Sequence, residues 1–381
     1  MSLATRSVSK WQYCNNSARE PFIAIRSLLN QWFDRYPEEE KNEFRSRFQS
    51  DDDYAHLSAF FELLIHETLL KNGYELVIHP AIPETKKRPD FLVRSKGQDL
   101  FCLEATTVGP SHTERRATIR RDQVYDVINE LRSPDFCLAL RVRGAPNITP
   151  PSRSMVGALE RWLNKQDYEQ TRNEYIDEGI VGLPCLEYKR DGWFIEFFPI
   201  PKAESQRDNL SIRPIALLLP GLEVVRTGET IYRSLKNKAK RYGDLEMPLV
   251  VAVNVLDRGY IPDMFVEVLF GKAVLTISSD AEGETISQCW GRNERGLWIG
   301  PGGPRGKRLS AVIAAGRLDY TNLREKQPVL IPHPWSNHQL QANIIPFDKK
   351  LLNQESGYFE EMEGPSLGDF LELPSPWPPE G

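Results

Sequence analysis

Residues 60–80 read FFELLIHETLLKNGYELVIHP, and residues 88–106 read RPDFLVRSKGQDLFCLEAT. Apolar residues recur with helical spacing from Tyr54 to Leu70, and the pattern stops at Gly73, as it does where a helix ends in a left-handed residue. Three short apolar segments follow, at 74–78, 91–93 and 100–103. This stretch therefore predicts one helix followed by three strands.

The second and third apolar segments predict a β-hairpin, because the only turn chemistry between them is Ser95, Lys96 and Gly97. With Gly97 near the centre of the turn, Asp90 falls opposite Glu104. Because side chains alternate along a strand, one face of the hairpin carries Asp90, Leu92, Cys102, Glu104 and Thr106, and the other carries Phe91, Val93, Phe101, Leu103 and Ala105. Two carboxylates thus meet on one face, where they repel each other unless a cation is present. A hard metal ion such as Mg²⁺ would remove the conflict.

These residues carry a resemblance to a known family. Glu62, the Pro89-Asp90 pair, a hydrophobic strand and Glu104-x-Thr106 resemble the PD-(D/E)XK nuclease superfamily. The resemblance covers about residues 55–106 and resumes at 231–254. It implies an α/β fold with a restriction-endonuclease-like core, in which helices flank a mixed central sheet. One position departs from the family, because its lysine, two residues after the second acid, is Thr106 here.

The resemblance also implies a chemistry, the metal-dependent hydrolysis of phosphodiester bonds. Asp90 and Glu104 would hold Mg²⁺ or Mn²⁺, which activates a water and neutralises the charge that develops on phosphorus. Glu62 would orient a metal-bound water or complete a second metal site. Thr106 can donate a hydrogen bond but brings no positive charge. In some branches of the family a later helix supplies the missing cation, and Lys238 is our candidate for that role.

The three acids also have structural interpretations. Asp90 follows a proline, where turn-forming residues are common. Glu104 ends a strand that is otherwise apolar, and a neighbouring cation, Lys87 or Arg88, could pair with it and make the site purely structural. Glu67 competes with Glu62 for the position on the helix.

Two predicted helices carry candidate nucleic-acid contacts. The helix at 113–131 opens with the cluster Arg115, Arg116, Arg120 and Arg121, which a solvated helix face also explains. The helix at 231–242, stopped by Gly243, contributes Lys236, Lys240 and Tyr242. Its positive charge would also complement the dipole at a helix C-terminus.

A glycine-rich segment, GLWIGPGGPRGKRLS at 296–310, superficially resembles a phosphate-binding loop. The spacing does not match, because Pro301 stands where the loop requires glycine and Arg308 replaces the required Ser or Thr. We interpret the segment as a mobile loop whose cations, Arg305, Lys307 and Arg308, are candidate contacts to a phosphate backbone.

Composition sets limits on partners and setting. The chain has 381 residues and a formal net charge of −5, which excludes a uniformly basic coat but leaves room for a local basic groove. Its five cysteines are far apart, which argues against a disulfide scaffold or a structural zinc site. No apolar run approaches the ~18 residues of a membrane-spanning helix. We therefore expect a cytoplasmic protein with no membrane partner.

We predict four regions along the chain. They are a helical lead-in at 1–50, a nuclease-like core at 51–255 with an insertion at about 145–215, an α+β extension at 256–350, and an acidic, proline-rich tail at 351–381. The predicted function is metal-dependent cleavage of nucleic acid, with DNA favoured over RNA as the partner. The alternative is a catalytically inactive nuclease fold that binds nucleic acid or a protein partner. A homo-oligomer or a partner subunit is compatible with both.

Overall fold

The computed structural model describes residues 8–83, 85–144, 152–190, 192–219, 227–257, 259–261, 263–279 and 285–380. The chain forms two compact units, one of Met1–Val8 with Pro110–Val224 and the other of Ser9–Gly109 with Val225–Gly381. The second unit contains a large mixed sheet flanked by helices, so the predicted mixed α/β class is confirmed.

The elements of the first 109 residues belong to the larger unit. Its helices here are α1 (Lys10–Asn16), α2 (Glu20–Asp34), α3 (Lys41–Phe48) and α4 (Asp53–Lys71). Its strands are β1 (Glu75–Ile78), β2 (Phe91–Ser95) and β3 (Gln98–Val108). The sequence predicts α2, α3, α4 and all three of these strands.

The smaller unit is an α/β body around a four-stranded sheet. Its helices are α5 (His112–Ile128), α6 (Ser152–Leu163) and α7 (Tyr168–Glu178). Its strands are β4 (Phe136–Arg143), β5 (Leu186–Arg190), β6 (Trp193–Pro201) and β7 (Ile215–Leu219), in the order β5-β6-β4-β7. The insertion predicted at about 145–215 falls within this unit, which also includes α5 and β4. Residues 145–151 of that prediction lie outside the described residues.

The rest of the chain returns to the larger unit. Its helices are α8 (Thr227–Ala239), α9 (Met264–Phe270) and α10 (Leu367–Phe370). Its strands are β8 (Leu249–Val255), β9 (Ala273–Ser279), β10 (Thr285–Arg292), β11 (Ile299–Gly300), β12 (Gly303–Pro304), β13 (Ala311–Gly316), β14 (Val329–Pro332), β15 (Asp348–Leu352) and β16 (Phe359–Met362).

The central sheet has eight strands in the order β1-β2-β3-β8-β13-β14-β15-β16. The β1-β2-β3 meander is antiparallel, whereas β3, β8 and β13 run parallel to one another. Strands β13 to β16 therefore continue the same sheet, although the sequence predicts residues 256–350 as an extension. The tail also packs on this unit, where Trp377 is buried and its indole N–H donates to the Tyr320 carbonyl at 2.9 Å.

From Phe91 to Val93 the β2-β3 hairpin has the register that the sequence predicts, and the register then shifts between Val93 and Arg94. Phe91 pairs with Leu103 and Leu92 with Cys102, so the next position sets Asp90 beside Glu104. Phe91 and Leu103 pack into the core formed with α4, whereas Leu92 and Cys102 face the core formed with α8 and α9. The side-chain alternation of the two strands thus directs the acids of the hairpin toward the α8 face of the sheet.

Capping residues and glycines set the ends of α4 and α8, the two helices that flank the hairpin. The Asp52 carboxylate accepts from the Tyr54 N–H at 3.0 Å and starts α4, and Gly73 follows its last turn with φ +86°. Helix α8 ends at Ala239, three residues before the predicted end. Residues 240–242 form a tighter turn, because the N–H groups of Lys240 and Arg241 donate to carbonyls three residues back, before Gly243 with φ +72°.

Within the described ranges, no helix combines the length and apolar character needed to cross a membrane.

Candidate functional site

The structure brings Asp90 and Glu104 together at the edge where β2 begins. Asp90 immediately precedes β2, and Glu104 lies in the middle of β3. The side chain of Glu104 is almost fully buried, with 2% of the residue exposed, whereas Asp90 is partly buried. A carboxylate buried to this degree requires compensating partners.

Glu104 finds those partners on α8 and the turn that follows it. Its Oε1 accepts from the Lys238 ammonium and, at 2.9 Å, from the Arg241 guanidinium. Its Oε2 accepts from the Tyr242 hydroxyl. Lys87 and Arg88, which the sequence suggests as alternative partners, form no ion pair with Glu104. Burial, and then the adjacent Glu104 charge, raise the pKa of the Tyr242 hydroxyl, so it remains a protonated donor at neutral pH.

Asp90 is compensated far less. Its Oδ2 accepts from the Ala105 backbone N–H at 2.7 Å, and no cation of the described residues forms an ion pair with it. Burial raises the pKa of the Asp90 carboxyl well above its ordinary value, and the charges of Glu104 and Glu62 raise it further. The Ala105 N–H and the Lys238 ammonium lower this pKa, but they do not outweigh burial. The pair therefore combines one satisfied carboxylate with one that lacks a counter-ion.

Glu62 belongs to a neighbouring cluster of the same unit. Arg47 holds it with two hydrogen bonds, at 2.6 Å to Oε2 and 3.0 Å to Oε1, and the Tyr36 hydroxyl donates to Oε1 at 2.9 Å. Its competitor on α4, Glu67, is paired with Arg35 at 2.5 Å. Both glutamates of α4 are thus bound by the helical lead-in, and the charge of Glu62 reaches the site through its effect on the pKa of Asp90.

Thr106 lies two residues beyond Glu104 on the same face of β3 and is partly buried. Its backbone is in register with Val253 of β8. Its hydroxyl forms no hydrogen bond with either acid in the described part of the chain. The positive charge beside Glu104 comes from Lys238, the residue that the sequence nominates, and from Arg241, which it does not single out.

The two acids retain oxygen lone pairs at which a hard divalent cation would bind if one were present. An ionised carboxylate offers about four lone-pair positions. Glu104 uses three of them, for Lys238, Arg241 and Tyr242, and Asp90 uses one, for Ala105. The remaining positions are what a Mg²⁺ ion held by two carboxylates and several waters requires. The described ranges contain no group of three or more His, Cys, Asp or Glu side chains arranged to hold a metal, so water would complete the coordination.

The candidate nucleic-acid contacts fall in different environments. Lys236 and Lys240 are exposed on the larger unit, whereas Tyr242 is 3% exposed and lies within the acidic site. Arg115, Arg116 and Arg120 are on α5 of the smaller unit, where Arg116 is exposed and the other two are partly buried.

Comparison of the chain with protein-family models, curated proteins and solved structures finds no match.

Proposed function

We propose that this protein is a metal-dependent nuclease that hydrolyses phosphodiester bonds, with DNA as the favoured substrate. The observation that carries the proposal is the acidic pair. Asp90 and Glu104 converge at one point of the sheet, and no cation in the described part of the chain forms a direct ion pair with Asp90. A carboxylate kept in this state costs stability, and catalytic sites are where such a cost is commonly found.

The element order supports a restriction-endonuclease-like core. Helix α4 precedes β1 and the β2-β3 hairpin, and α8 and β8 follow, with β8 pairing in parallel with β3. Helices cover both faces of this sheet. Pro-Asp and Glu-x-x occur often by chance in unrelated chains, so the motif alone is weak support. The order of helices and strands around it strengthens the resemblance.

Lys238 takes the role of the lysine that the motif lacks. Its ammonium contacts Glu104 and lowers the pKa of Asp90, so it adds positive charge to both acids. Beside a bound phosphodiester, the same charge would stabilise the negative charge that develops in the transition state. Arg241 shares Glu104 Oε1 and adds a second cation at this point. Thr106 can add one hydrogen bond on the same face.

Asp90 and Glu104 would hold the Mg²⁺ or Mn²⁺ ion. When bound, such an ion would supply a Lewis acid for the phosphodiester and lower the pKa of a coordinated water. Tyr242 would keep Glu104 oriented through its hydrogen bond, and the Ala105 N–H would do the same for Asp90. Glu62, held by Arg47 and Tyr36, would act through its charge on Asp90.

A cleavage assay tests this function. Wild-type protein is incubated with single-stranded DNA, double-stranded DNA and RNA in Mg²⁺ or Mn²⁺, beside the variants Asp90→Asn, Glu104→Gln and Lys238→Met. Because metal coordination contributes several kcal/mol to such reactions, each acid variant is expected to lose about 100-fold or more of the cleavage rate.

Asp99→Asn is the matched control, because Asp99 lies on the same β-hairpin and forms an exposed ion pair with Arg94. It is expected to cleave like the wild type. Equal cleavage by the wild type, Asp90→Asn and Glu104→Gln would eliminate the site as the source of the activity.

The second candidate function is a catalytically inactive nuclease fold that binds nucleic acid or a protein partner. The ion pairs of Glu104 favour it, because Lys238 and Arg241 already supply the positive charge that a metal would bring. Calorimetric titration of Mn²⁺ distinguishes the two functions. The nuclease requires Mn²⁺ binding that Asp90→Asn abolishes, whereas the inactive fold requires no binding at this site.

A further inference from the structure

A cavity of about 350 Å³ lies in the larger unit, on a face of α8 that is distinct from the acidic site. Tyr232, Lys236 and Lys240 follow one another at intervals of four residues and line one side of it. The opposite lining comes from Leu297 and the segment 305–308. The volume is that of a small-ligand pocket.

The charge of the cavity contrasts with that of the chain. Of the ten described residues that line it, five are Lys or Arg and none is acidic, although the formal net charge of the chain is −5. Such a concentration of one sign attracts an anion from solution.

Some of the cations that line the cavity already form ion pairs or hydrogen bonds within the protein, and others do not. Arg308 forms a two-bond pair with Asp244, at 2.5 and 2.9 Å, and Arg305 donates to the Gly296 carbonyl at 2.5 and 3.1 Å. In contrast, the ammonium groups of Lys240 and Lys307 have no carboxylate within ion-pair distance among the described residues. These two lysines are therefore available to a ligand.

The glycine-rich wall of the cavity, which the sequence suggests is a mobile loop, is instead anchored by hydrogen bonds to the body of the unit. The Asn337 N–H donates to the Lys307 carbonyl at 2.8 Å, and the ring of His333 bonds to the Arg305 carbonyl at 2.9 Å. Gly306 has φ +69°, and a Cβ there would lie 2.9 Å from the Leu297 carbonyl oxygen. The backbone thus holds Lys307 over the cavity without a ligand, which reduces the ordering cost of binding.

The lining also has an apolar part. Tyr232, Ala239 and Leu297 contribute ring and aliphatic surface. The Lys236 ammonium lies 5.7 Å from the Tyr232 ring centroid, which brings a cation and an aromatic face together. Inorganic phosphate would use the cations alone, whereas a nucleotide would use both parts, because a base stacks on an aromatic side chain.

We propose that this cavity binds one nucleotide unit, with its phosphate between Lys240 and Lys307 and its base against Tyr232 and Leu297. A free mononucleotide and one nucleotide of a single strand share this chemistry. The proposal does not depend on cleavage at Asp90 and Glu104, because it concerns binding at another face of α8.

The test measures binding by the full chain in EDTA, so that neither a divalent cation nor cleavage contributes. Calorimetry is used for AMP and for inorganic phosphate, and fluorescence anisotropy for a labelled six-nucleotide oligothymidylate. The double variant Lys240→Glu/Lys307→Glu is expected to weaken binding of AMP or the oligonucleotide by about tenfold or more, because two charge-assisted contacts become repulsive. The matched control is Lys326→Glu, an exposed lysine of the same unit outside the cavity, which should bind within about twofold of the wild type.

Tyr232→Leu separates a nucleotide from a simple anion. It is expected to weaken binding of AMP or the oligonucleotide about tenfold while leaving phosphate binding unchanged, since only the base uses the ring. Tighter binding of AMP than of the oligonucleotide would identify a free nucleotide as the ligand, and the reverse order would identify a strand; both support the site.

Equal effects of Lys240→Glu/Lys307→Glu and Lys326→Glu would overturn the proposal, as would phosphate binding as tight as AMP binding that is unaffected by Tyr232→Leu. Thermal unfolding verifies that each variant is folded. If the double variant is not, the single variant Lys307→Gln is measured, and unchanged affinity in that variant overturns the proposal.

Discussion

The negative charge of Asp90, unlike that of Glu104, lowers the stability of the folded protein. Burial raises the pKa of Asp90 in the folded chain well above the ordinary value of an aspartic acid. A carboxyl with a raised folded pKa favours folding in its neutral form, so stability is lost as pH rises from the unfolded pKa through the folded one. At neutral pH this residue therefore opposes folding, unless a cation compensates it.

The first prediction is that Asp90→Asn stabilises the protein at pH 7. The amide oxygen can still accept the Ala105 N–H, while the unbalanced charge is removed. The expected gain is about 1 kcal/mol, or about 2 °C in Tm, measured by thermal unfolding. Asp99→Asn, which removes an exposed ion pair with Arg94, should not raise Tm. A lower Tm for Asp90→Asn would assign Asp90 a structural role.

The second prediction concerns two buried histidines. Burial lowers the pKa of both His66 and His333 to about 4. Their ordinary pKa in an unfolded chain is about 6.5, so the unfolded state binds more protons between pH 6.5 and 4, and stability should fall on acidification through this range.

His66→Phe tests this contribution, because Nδ1 of His66 is buried with no hydrogen-bond partner among the residues that the structure describes, and the ring packs near Tyr36 and Phe91. The free energy of unfolding, measured by chemical unfolding, should decrease from pH 7 to pH 4 in both proteins. In His66→Phe this decrease should be smaller than in the wild type by an amount on the order of 3 kcal/mol. An unchanged pH dependence would contradict the neutral, buried state of His66.

Sequence patterns could predict the residues of the site whose positions follow from local periodicity. A hairpin centred near Gly97 predicts that Asp90 and Glu104 meet, and they do, although the register shifts between Val93 and Arg94, which periodicity does not predict. Arg241, Arg47 and Tyr36 were not singled out. Their partners are 137, 15 and 26 residues away in the chain, so these contacts depend on tertiary packing.

At the level of elements, the end of α8 determines the geometry around Glu104. Lys238 lies in the last helical turn, whereas Arg241 and Tyr242 lie in the tighter turn before Gly243. The amphipathic pattern predicts a helix through Tyr242, because periodicity does not distinguish a regular last turn from one with three-residue hydrogen bonds. Both arrangements put Lys238 and Tyr242 near each other, which is why the pair was still predicted.

The third prediction is that Gly243→Ala disturbs the site through the backbone. Gly243 has φ +72° and no atom within 4 Å of an added Cβ, so the cost is conformational and about 1 kcal/mol. Gly73, which follows α4 with φ +86° and the same open space, is the matched control. Both alanine variants should lose similar Tm, but only Gly243→Ala should weaken Mn²⁺ binding in calorimetry. Equal Mn²⁺ affinities in the two variants would show that the backbone conformation at Gly243 does not affect the metal site.

At the level of the whole molecule, charge is distributed unevenly. The chain is acidic, yet the cavity beside α8 concentrates cations. Binding of a nucleic acid there should depend on salt, because each phosphate contact releases counter-ions.

The fourth prediction is that Lys240→Gln/Lys307→Gln makes the salt dependence of oligothymidylate binding shallower. The slope of log K against log salt is expected to decrease in magnitude by about 1.4, at about 0.7 for each lost contact with a single strand. Anisotropy titrations at several salt concentrations measure it, with Lys326→Gln as the control. A slope equal to that of the wild type would show that neither lysine contacts a phosphate of the oligonucleotide.

The overall organisation could be predicted only in part. The α/β class follows from the alternation of helical and strand periodicities, and the mixed sheet flanked by helices is confirmed. The pairing of β13 with β8 joins residues about 60 positions apart. A single sequence carries no signal for such a pairing, so the length of the sheet could not be predicted.

The burial of Trp377 has a consequence for synthesis of the chain. Trp377 belongs to the same apolar core as Ile25 and Phe60, and its indole is tied to Tyr320. Domains fold as units while the ribosome proceeds from the N-terminus. The segment 110–224 is continuous and can complete its interior early, whereas the core around α2 and α4 is complete only after Trp377 has been translated. Until Trp377 is made, α2 and α4 therefore lack part of the apolar surface that covers them in the folded unit.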